Sequence, residues 1–319
     1  MDNNISSTTK RLLQLSSLPG VGVVALRKII SRADILGLHS LENNDEIIAS
    51  FARGSGSTNK TNESAWQSII DACLNFSIRI ISPLDPEYPK TLAHIEDFPP
   101  FLYVLGNISS LSMISSAVVG TRDASFLGLS WGRQIAEILV NYGFSIVSGL
   151  ALGIDTAAHE GALQAKGTTV SILAHGLDKV TPASNKKLAE RIVANGGTLV
   201  SEHPPGVPPR RPEYVRRNRI QSGLSVCSIV VESGESGGAI HQGNFTTRQG
   251  RRLYCVIPDD NVPGATEFRS AGGHRLMVEA GGIPIHNSQG LLKILESGIL
   301  QNDYNRLISH TNAPTRSLL

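Results

Sequence analysis

The side chains in this sequence best suited to chemistry are those that hold phosphate. Three turns combine glycine with hydroxyl or guanidinium groups: Gly120-Thr121-Arg122, Ser148-Gly149 at the head of the run to Asp155, and Ser236-Gly237-Gly238. Glycine lets a backbone come close to an anion, and successive N–H groups form a concave anion site. Arginine adds a planar five-donor fork that matches phosphate oxygens. The blander readings are tight turns and a surface Arg122 paired with Asp123 or Asp155. A fourth stretch, residues 210–219, carries five arginines against one glutamate, with Tyr214 inside it and Arg216, Arg217, Asn218 and Arg219 at its end. A basic stretch with an interleaved aromatic is the composition that holds a single nucleic-acid strand by phosphate contact and base stacking. Its alternative is a solvated charged face. Asp155 and His159 are four apart and share a helix face. A helix cap or pair suits them better than catalysis, because no further group completes a reactive set.

Each glycine turn follows an apolar run, which indicates the elements that must carry it. Strand patterns fall at 101–105, 117–119, 145–147, 169–173, 198–200, 228–231, 253–257 and 283–285. Several are continuous and β-branched, as strands buried on both faces are. Helical patterns at 129–142, 156–165 and 185–194 alternate with them, so the expected fold is α/β, a doubly wound, mostly parallel sheet. In such a sheet the turns gather at the carboxyl ends of the strands, beside helix N-termini whose N–H groups are open to anions.

Ahead of the sheet, residues 1–77 read as a small all-α domain. Leu12, Leu13 and Leu15, the turn Leu18-Pro19-Gly20-Val21-Gly22 and the run Val24 to Ile30 have the look of a helix-hairpin-helix, a motif suited to sequence-independent phosphate contact. A plain helical hairpin fits equally well. Residues 53–62 form a polar, low-complexity loop, and a helix is predicted from Glu63 to Asn75. The second domain is expected over 78–286, entered through an irregular connector from Pro83 to Pro100. Residues 287–319 are expected to hold one helix, 289–296, and a polar tail.

Composition narrows the function classes. The 319 residues are 40% hydrophobic and carry a formal net charge of +2, too small to mark a nucleic-acid binder globally, so the electrostatic case rests on local clusters. The start of the chain lacks a signal-peptide pattern and no run approaches a membrane span, which predicts a cytoplasmic protein with no membrane partner. Cys73, Cys227 and Cys255 form neither a paired motif nor a disulfide framework, and Cys227 and Cys255 read as buried small hydrophobes. The nine histidines offer no metal-binding spacing. No metal, cofactor or catalytic residue is expected.

Six motifs in order give the chain a family resemblance: Gly120-Thr121-Arg122, Ser148 to Asp155 with His159, Gly176-Leu177-Asp178, Ser201 to Gly206, Arg217-Asn218-Arg219-Ile220 and Ser236-Gly237-Gly238. Together they resemble the DprA/Smf DNA-processing family. Pro86-Glu87-Tyr88-Pro89 and Pro99-Pro100 upstream and Ser270-Ala271-Gly272-Gly273 downstream extend the likeness to residues 80–285. The resemblance implies an extended Rossmann-like domain behind a SAM-like helical one. It implies single-stranded-DNA binding, loading of a RecA-type recombinase during natural transformation or recombination, and a homodimer. It also suggests that Asn185 and Lys186, followed by Lys187, face DNA, although the family's usual Tyr-Pro is Thr181-Pro182 here. Other departures are Gly238 in place of a hydroxyl residue, His241, Gln242 and Asn244 where small or apolar residues are usual, Asp259 for glycine and His274 for asparagine. The family's frequent C-terminal winged helix does not fit in the length present.

Two rival readings come from other classes. Gly234-Glu235-Ser236-Gly237-Gly238 satisfies the Gly-x-Ser-x-Gly pattern, with Asp259 or Asp260 and His274 following in the order of an α/β-hydrolase. A nucleophile elbow, however, needs its serine directly after the strand. The second rival is a small-nucleotide binder or nucleoside-phosphate hydrolase using the same turns. No Gly-x-Gly-x-x-Gly opens these helices, which argues against a dinucleotide. The reading reached is a non-enzymatic, DprA-like single-stranded-DNA-binding protein whose phosphate contacts come from the turns, Arg122 and the 210–219 segment.

Overall fold

The computed structural model describes residues 4–35, 63–270 and 272–309. The polar loop at 53–62, Ala271 and the tail beyond residue 309 lie outside the described residues. In chain order the elements are α1 (Ser7–Ser16), α2 (Val23–Ile35), α3 (Glu63–Asn75), β1 (Arg79–Ile81), α4 (Lys90–Ala93), β2 (Leu102–Gly106), a 3₁₀ turn (Ile108–Ser112), β3 (Ser115–Val119), α5 (Phe126–Asn141), β4 (Ser145–Ser148), α6 (Ile154–Gln164), β5 (Thr169–Leu173), α7 (Lys186–Ala194), β6 (Thr198–Ser201), α8 (Arg211–Leu224), β7 (Cys227–Val230), α9 (Gly238–Arg248), β8 (Arg252–Val256), α10 (Ala265–Ser270), α11 (Gly273–Glu279), β9 (Ile283–Ile285), α12 (Ser288–Glu296) and α13 (Ile299–Ser309).

The nine strands form one sheet in the order β1-β2-β6-β5-β4-β3-β7-β8-β9. From β6 to β9 every pairing is parallel, while β1–β2 and β2–β6 are antiparallel. The chain winds outward from β3 through β4 and β5 to β6, then returns to place β7 on the other side of β3. That reversal is the switch point at which open α/β sheets bind ligands, outside the strand carboxyl ends.

The central strands are buried on both faces, as their apolar runs predict. Val118, Ile146 and Ile229 pack with Trp131, Ile135 and Leu139 of α5 on one side. Ala117, Val147, Val170, Ile172 and Val200 pack with Ile220 and Leu224 of α8 and Leu92 on the other. Cys73, Cys227 and Cys255 are free and buried, and burial pushes each thiol up to about 12.

Several elements escape the sequence reading. The short strand β1, the helices α4, α10 and α11, and α13 have weak or brief patterns. The expectation of a single C-terminal helix is corrected: α12 and α13 both return to the core through Leu291, Leu295 and Leu300. Asp303 of α13 accepts a 2.6 Å bond from Arg252 at the start of β8, which fixes that return.

The N-terminal helices have their own cluster, Leu12, Leu15, Leu26, Ile29 and Ile30. Gly20 in their hairpin sits at φ +82°, a conformation that favours glycine. The helices are joined to the sheet domain by apolar packing of Leu13, Trp66 and Ile70 on Ile80 and Tyr103 and by polar contacts to the connector. Asp85 accepts from Thr9 Oγ1 and from Ser82 N, and Arg27 donates to the carbonyls of Asp97 and Phe98, both at 2.7 Å.

Candidate nucleic-acid interface

A cleft of about 570 Å³ opens at the switch point. Its walls are the turn after β3 (Gly120 to Arg122), the turn after β4 with Asp155, the turn after β7 (Ser233, Gly237, Gly238) and one face of α8. Backbone and side-chain bonds hold the first and third turns together. Thr121 N donates to Glu232 O at 2.7 Å, and the Glu232 carboxylate accepts from both N and Oγ of Ser125, which caps α5. The second turn is locked to the first: Ile154 N donates to Thr121 O at 3.1 Å. Gly153, at φ +75°, lies so close that a Cβ there would meet Thr121 O at 2.3 Å.

Arg122 is exposed on the rim, its guanidinium 5.1 Å from the centre of the Tyr214 ring. This cation–π contact replaces the pairing with Asp123 or Asp155 that sequence allowed as an alternative. Arg211, Tyr214, Asn218 and Gln221 line the cleft. Their spacing of three and four is that of one helix face. Asn218 Nδ2 donates to Gly238 O at 3.2 Å, which sets α8 against the start of α9.

The same helix distributes its remaining arginines elsewhere, and this corrects the reading of 210–219 as one patch. Arg219 is 1% exposed. It forms a two-pronged ion pair with Glu202 at 2.8 and 2.7 Å and contacts Asp97 Oδ2 at 3.0 Å. Burial tends to raise the Glu202 carboxyl, but the Arg219 bond and charge outweigh it and hold the group below the usual carboxylate range. Arg219 therefore has its donors committed inside the fold and cannot serve as an exposed phosphate contact. Arg217 is also buried. It donates to Ile172 O, and burial pushes its guanidinium down to about 10, leaving it charged at neutral pH. Arg216 alone of this trio points to solvent.

Three further expectations give way for the same reason. Ser148 is fully buried and its hydroxyl donates to Val118 O at 2.7 Å. Gly149 N is committed to Asp155 Oδ2 at 3.1 Å, and the glycine is required by Arg217, whose Nη1 lies 2.0 Å from where a Cβ would stand. Asn185 is 6% exposed and donates to Leu150 O and Thr156 Oγ1, so it braces the turn after β4. Lys186 and Lys187 are exposed beside it but do not line the cleft.

Asp155 and His159 have structural roles. Burial raises the Asp155 carboxyl, opposed by the Arg217 charge and the N–H groups of Ala151 and Gly149. His159, fully buried and bonded through Nδ1 to Thr169 Oγ1, is held down to about 3 by burial and stays neutral.

Ser236 lies in an exposed turn, six residues past the end of β7 and two before α9 begins. That spacing leaves no strand–serine–helix elbow, which removes the hydrolase geometry. Gly237 and Gly238 line the cleft. No atom lies within 4 Å of a Cβ built at Gly238, so packing does not require glycine there. Of the unusual residues on α9 only Gln242 turns inward; His241 and Asn244 are exposed. Thr121, Arg211 and Tyr214, which lie inside the candidate turn and the arginine-rich stretch, also line the cleft, as do Gln221, Ser233 and Gln242, which were not among the candidate contacts. A helical wheel over 211–224 would have found the first face.

The family model for DNA recombination-mediator protein A matches residues 79–296. The chain belongs to that family. Protein Smf of Escherichia coli is 38% identical over 218 residues, covering 68% of this chain and 57% of that protein. Protein Smf of Synechocystis is 34% identical over 256 residues, covering 74% of this chain and 62% of its own length. The chain thus spans about three-fifths of these relatives. Among solved structures, DNA processing protein A from Streptococcus pneumoniae superposes with a TM-score of 0.70 at 26% identity, over 90% of this chain and 97% of that one. DNA processing protein A from Helicobacter pylori, solved for its single-stranded DNA binding mode, shares the fold at 24% identity and a TM-score of 0.56, over 73% of this chain and 97% of that one. In this family context, Asp178 accepting from Gly206 N at 2.7 Å explains two of the motifs: Gly176-Leu177-Asp178 anchors the Pro204-Pro205-Gly206 turn.

Proposed function

We propose that this DprA-family chain binds single-stranded DNA through the switch-point cleft and acts in DNA processing during transformation or recombination, with no chemistry of its own. The observation that carries the reading is the Arg122–Tyr214 pair at the mouth of the cleft. It sets a free-standing guanidinium against an aromatic face, the two groups that contact a strand's phosphate and base. Gly237 and Gly238 supply backbone groups at the start of α9, with Ser236 beside them and Asn218 of α8 bracing the turn through Gly238 O. Arg211, Arg216 and Lys186 are exposed and add longer-range attraction that salt screens. A homodimer, a RecA-type recombinase partner and a cytoplasmic site of action belong to this proposal. Among the described residues no helix is long and apolar enough to cross a membrane.

A second reading has one observation in its favour. The cleft volume suits a single nucleotide, and Lys186 does not join its lining. The deciding experiment is fluorescence anisotropy of labelled oligothymidine across a salt series, with duplex and mononucleotides as competitors. A steep salt dependence with resistance to mononucleotides supports the strand. Absent strand binding, or full displacement by a mononucleotide, leaves the small-nucleotide pocket.

A further inference from the structure

The floor of the cleft carries hydrogen-bonding groups that the fold leaves unused. Gln221 is 2% exposed, Gln242 1% and Arg217 5%, and all three line the cleft. Gln221 Nε2, Gln242 Oε1 and Arg217 Nε have no hydrogen-bond partner within the protein. Such groups are costly to bury unsatisfied, by about 1–3 kcal/mol each. The other ends of two of these side chains are fixed: Gln242 Nε2 donates to Ser228 Oγ at 3.1 Å, and Arg217 Nη1 donates to Ile172 O. The unmet atoms are therefore donor groups on Gln221 and Arg217 and an acceptor on Gln242, with Gln242 and Arg217 held from behind.

Resting on the single-strand reading above, we propose that Gln221, Gln242 and Arg217 form a base-reading floor that selects a pyrimidine of the bound strand. A Watson–Crick edge complementary to two donors and one acceptor presents two acceptors and one donor. Thymine, uracil and cytosine each do so. Guanine presents the opposite balance, and adenine lacks the second acceptor. Extruded bases are commonly read on this edge while an aromatic side chain stacks on the ring, and Tyr214 on the cleft wall supplies that ring. These atoms are themselves shielded from solvent, on residues that line the cleft. Rotation about the final side-chain torsion of Gln221, which is broad and soft, turns its amide toward a ligand, while Gln242 presents Oε1 with its Nε2 still on Ser228.

The test compares wild-type binding of labelled homopolymers of thymidine, deoxycytidine and deoxyadenosine at one length and salt concentration. An oligodeoxyadenosine of the same length with interspersed abasic sites, which interrupt stacking, serves as the control for adenine self-stacking. Pyrimidine strands are expected to bind about tenfold tighter than the adenine strand, the discrimination of one or two net hydrogen bonds. Gln242→Met and Gln221→Met are each expected to shrink that ratio toward one while leaving the salt dependence unchanged, with a thermal melt reporting that the variants fold. Equal affinity for all three wild-type homopolymers overturns the proposal, as does a pyrimidine preference that survives both variants; buried waters then satisfy the floor. Binding to no homopolymer at any salt concentration removes the single-strand reading instead.

Discussion

Arg122 and Arg219 are the same residue type, each drawn from a family motif, and they meet opposite fates. Arg122 stands on an exposed rim with an aromatic face beside it. Arg219 lies at 1% exposure between Glu202 and Asp97, in a knot that also holds Arg27 of α2. An exposed guanidinium keeps its donors for a ligand at little structural cost. Arg219, buried, spends its donors inside on Glu202 and Asp97, because an unpaired charge in a low-dielectric interior is costly. The comparison separates the arginine proposed to bind from the arginine that organises the segment between the helical layer and the sheet.

The largest expected effect comes from breaking the buried knot. Arg219→Ala should cost about 3–5 kcal/mol of folding stability, since it strands Glu202 without its partner, and urea denaturation reads it directly. The pH dependence has a definite sign. A carboxyl held below its ordinary range stabilises the fold above the unfolded value, and that contribution fades as pH falls through the folded one. Wild type should therefore lose stability in acid more steeply than the variant, and identical acid profiles would count against the ion pair.

Gly149→Ala comes next. Its methyl group would collide with the Arg217 guanidinium, 2.0 Å from the Cβ position, so the overpacking should cost about 1–3 kcal/mol of stability. A thermal melt matching wild type would show that Arg217 is free to move.

Arg122→Ala should leave the melt unchanged and weaken single-strand binding by about 1.5–3 kcal/mol, with the salt slope reduced by about one. Unchanged affinity would sink the rim as the contact site. Lys186→Ala should have the smallest effect, a loss of about 1 kcal/mol or less that disappears at high salt. A loss as large as that of Arg122→Ala would extend the track beyond the cleft.

Much of this architecture was legible beforehand because sheet burial imposes continuous apolar runs. The strands at 169–173 and 283–285 coincide with their predicted spans, as does the helix Glu63–Asn75. The brief segments β1 (Arg79–Ile81) and α10 (Ala265–Ser270) carry neither a continuous apolar run set off by turn residues nor a helical period that would mark them. The site was legible as a set of turns but not as a set of contacts. Ser148, Gly149 and Asn185 carry the right chemistry for phosphate, yet the fold uses their polar groups first.

Residue types and spacing determined on their own that this chain builds a mostly parallel sheet with glycine turns at its carboxyl edge, because hydrophobic period and turn chemistry are local properties. Which donors remain free at that edge was decided only by tertiary structure. A helix turns each successive residue by about 100°, so neighbours in the arginine-rich stretch face different surroundings. Arg211 and Tyr214 line the cleft, Arg216 meets water, Arg217 meets the sheet and Arg219 meets Glu202. A side chain's availability depends on what is packed against it, and that partner comes from a distant part of the chain.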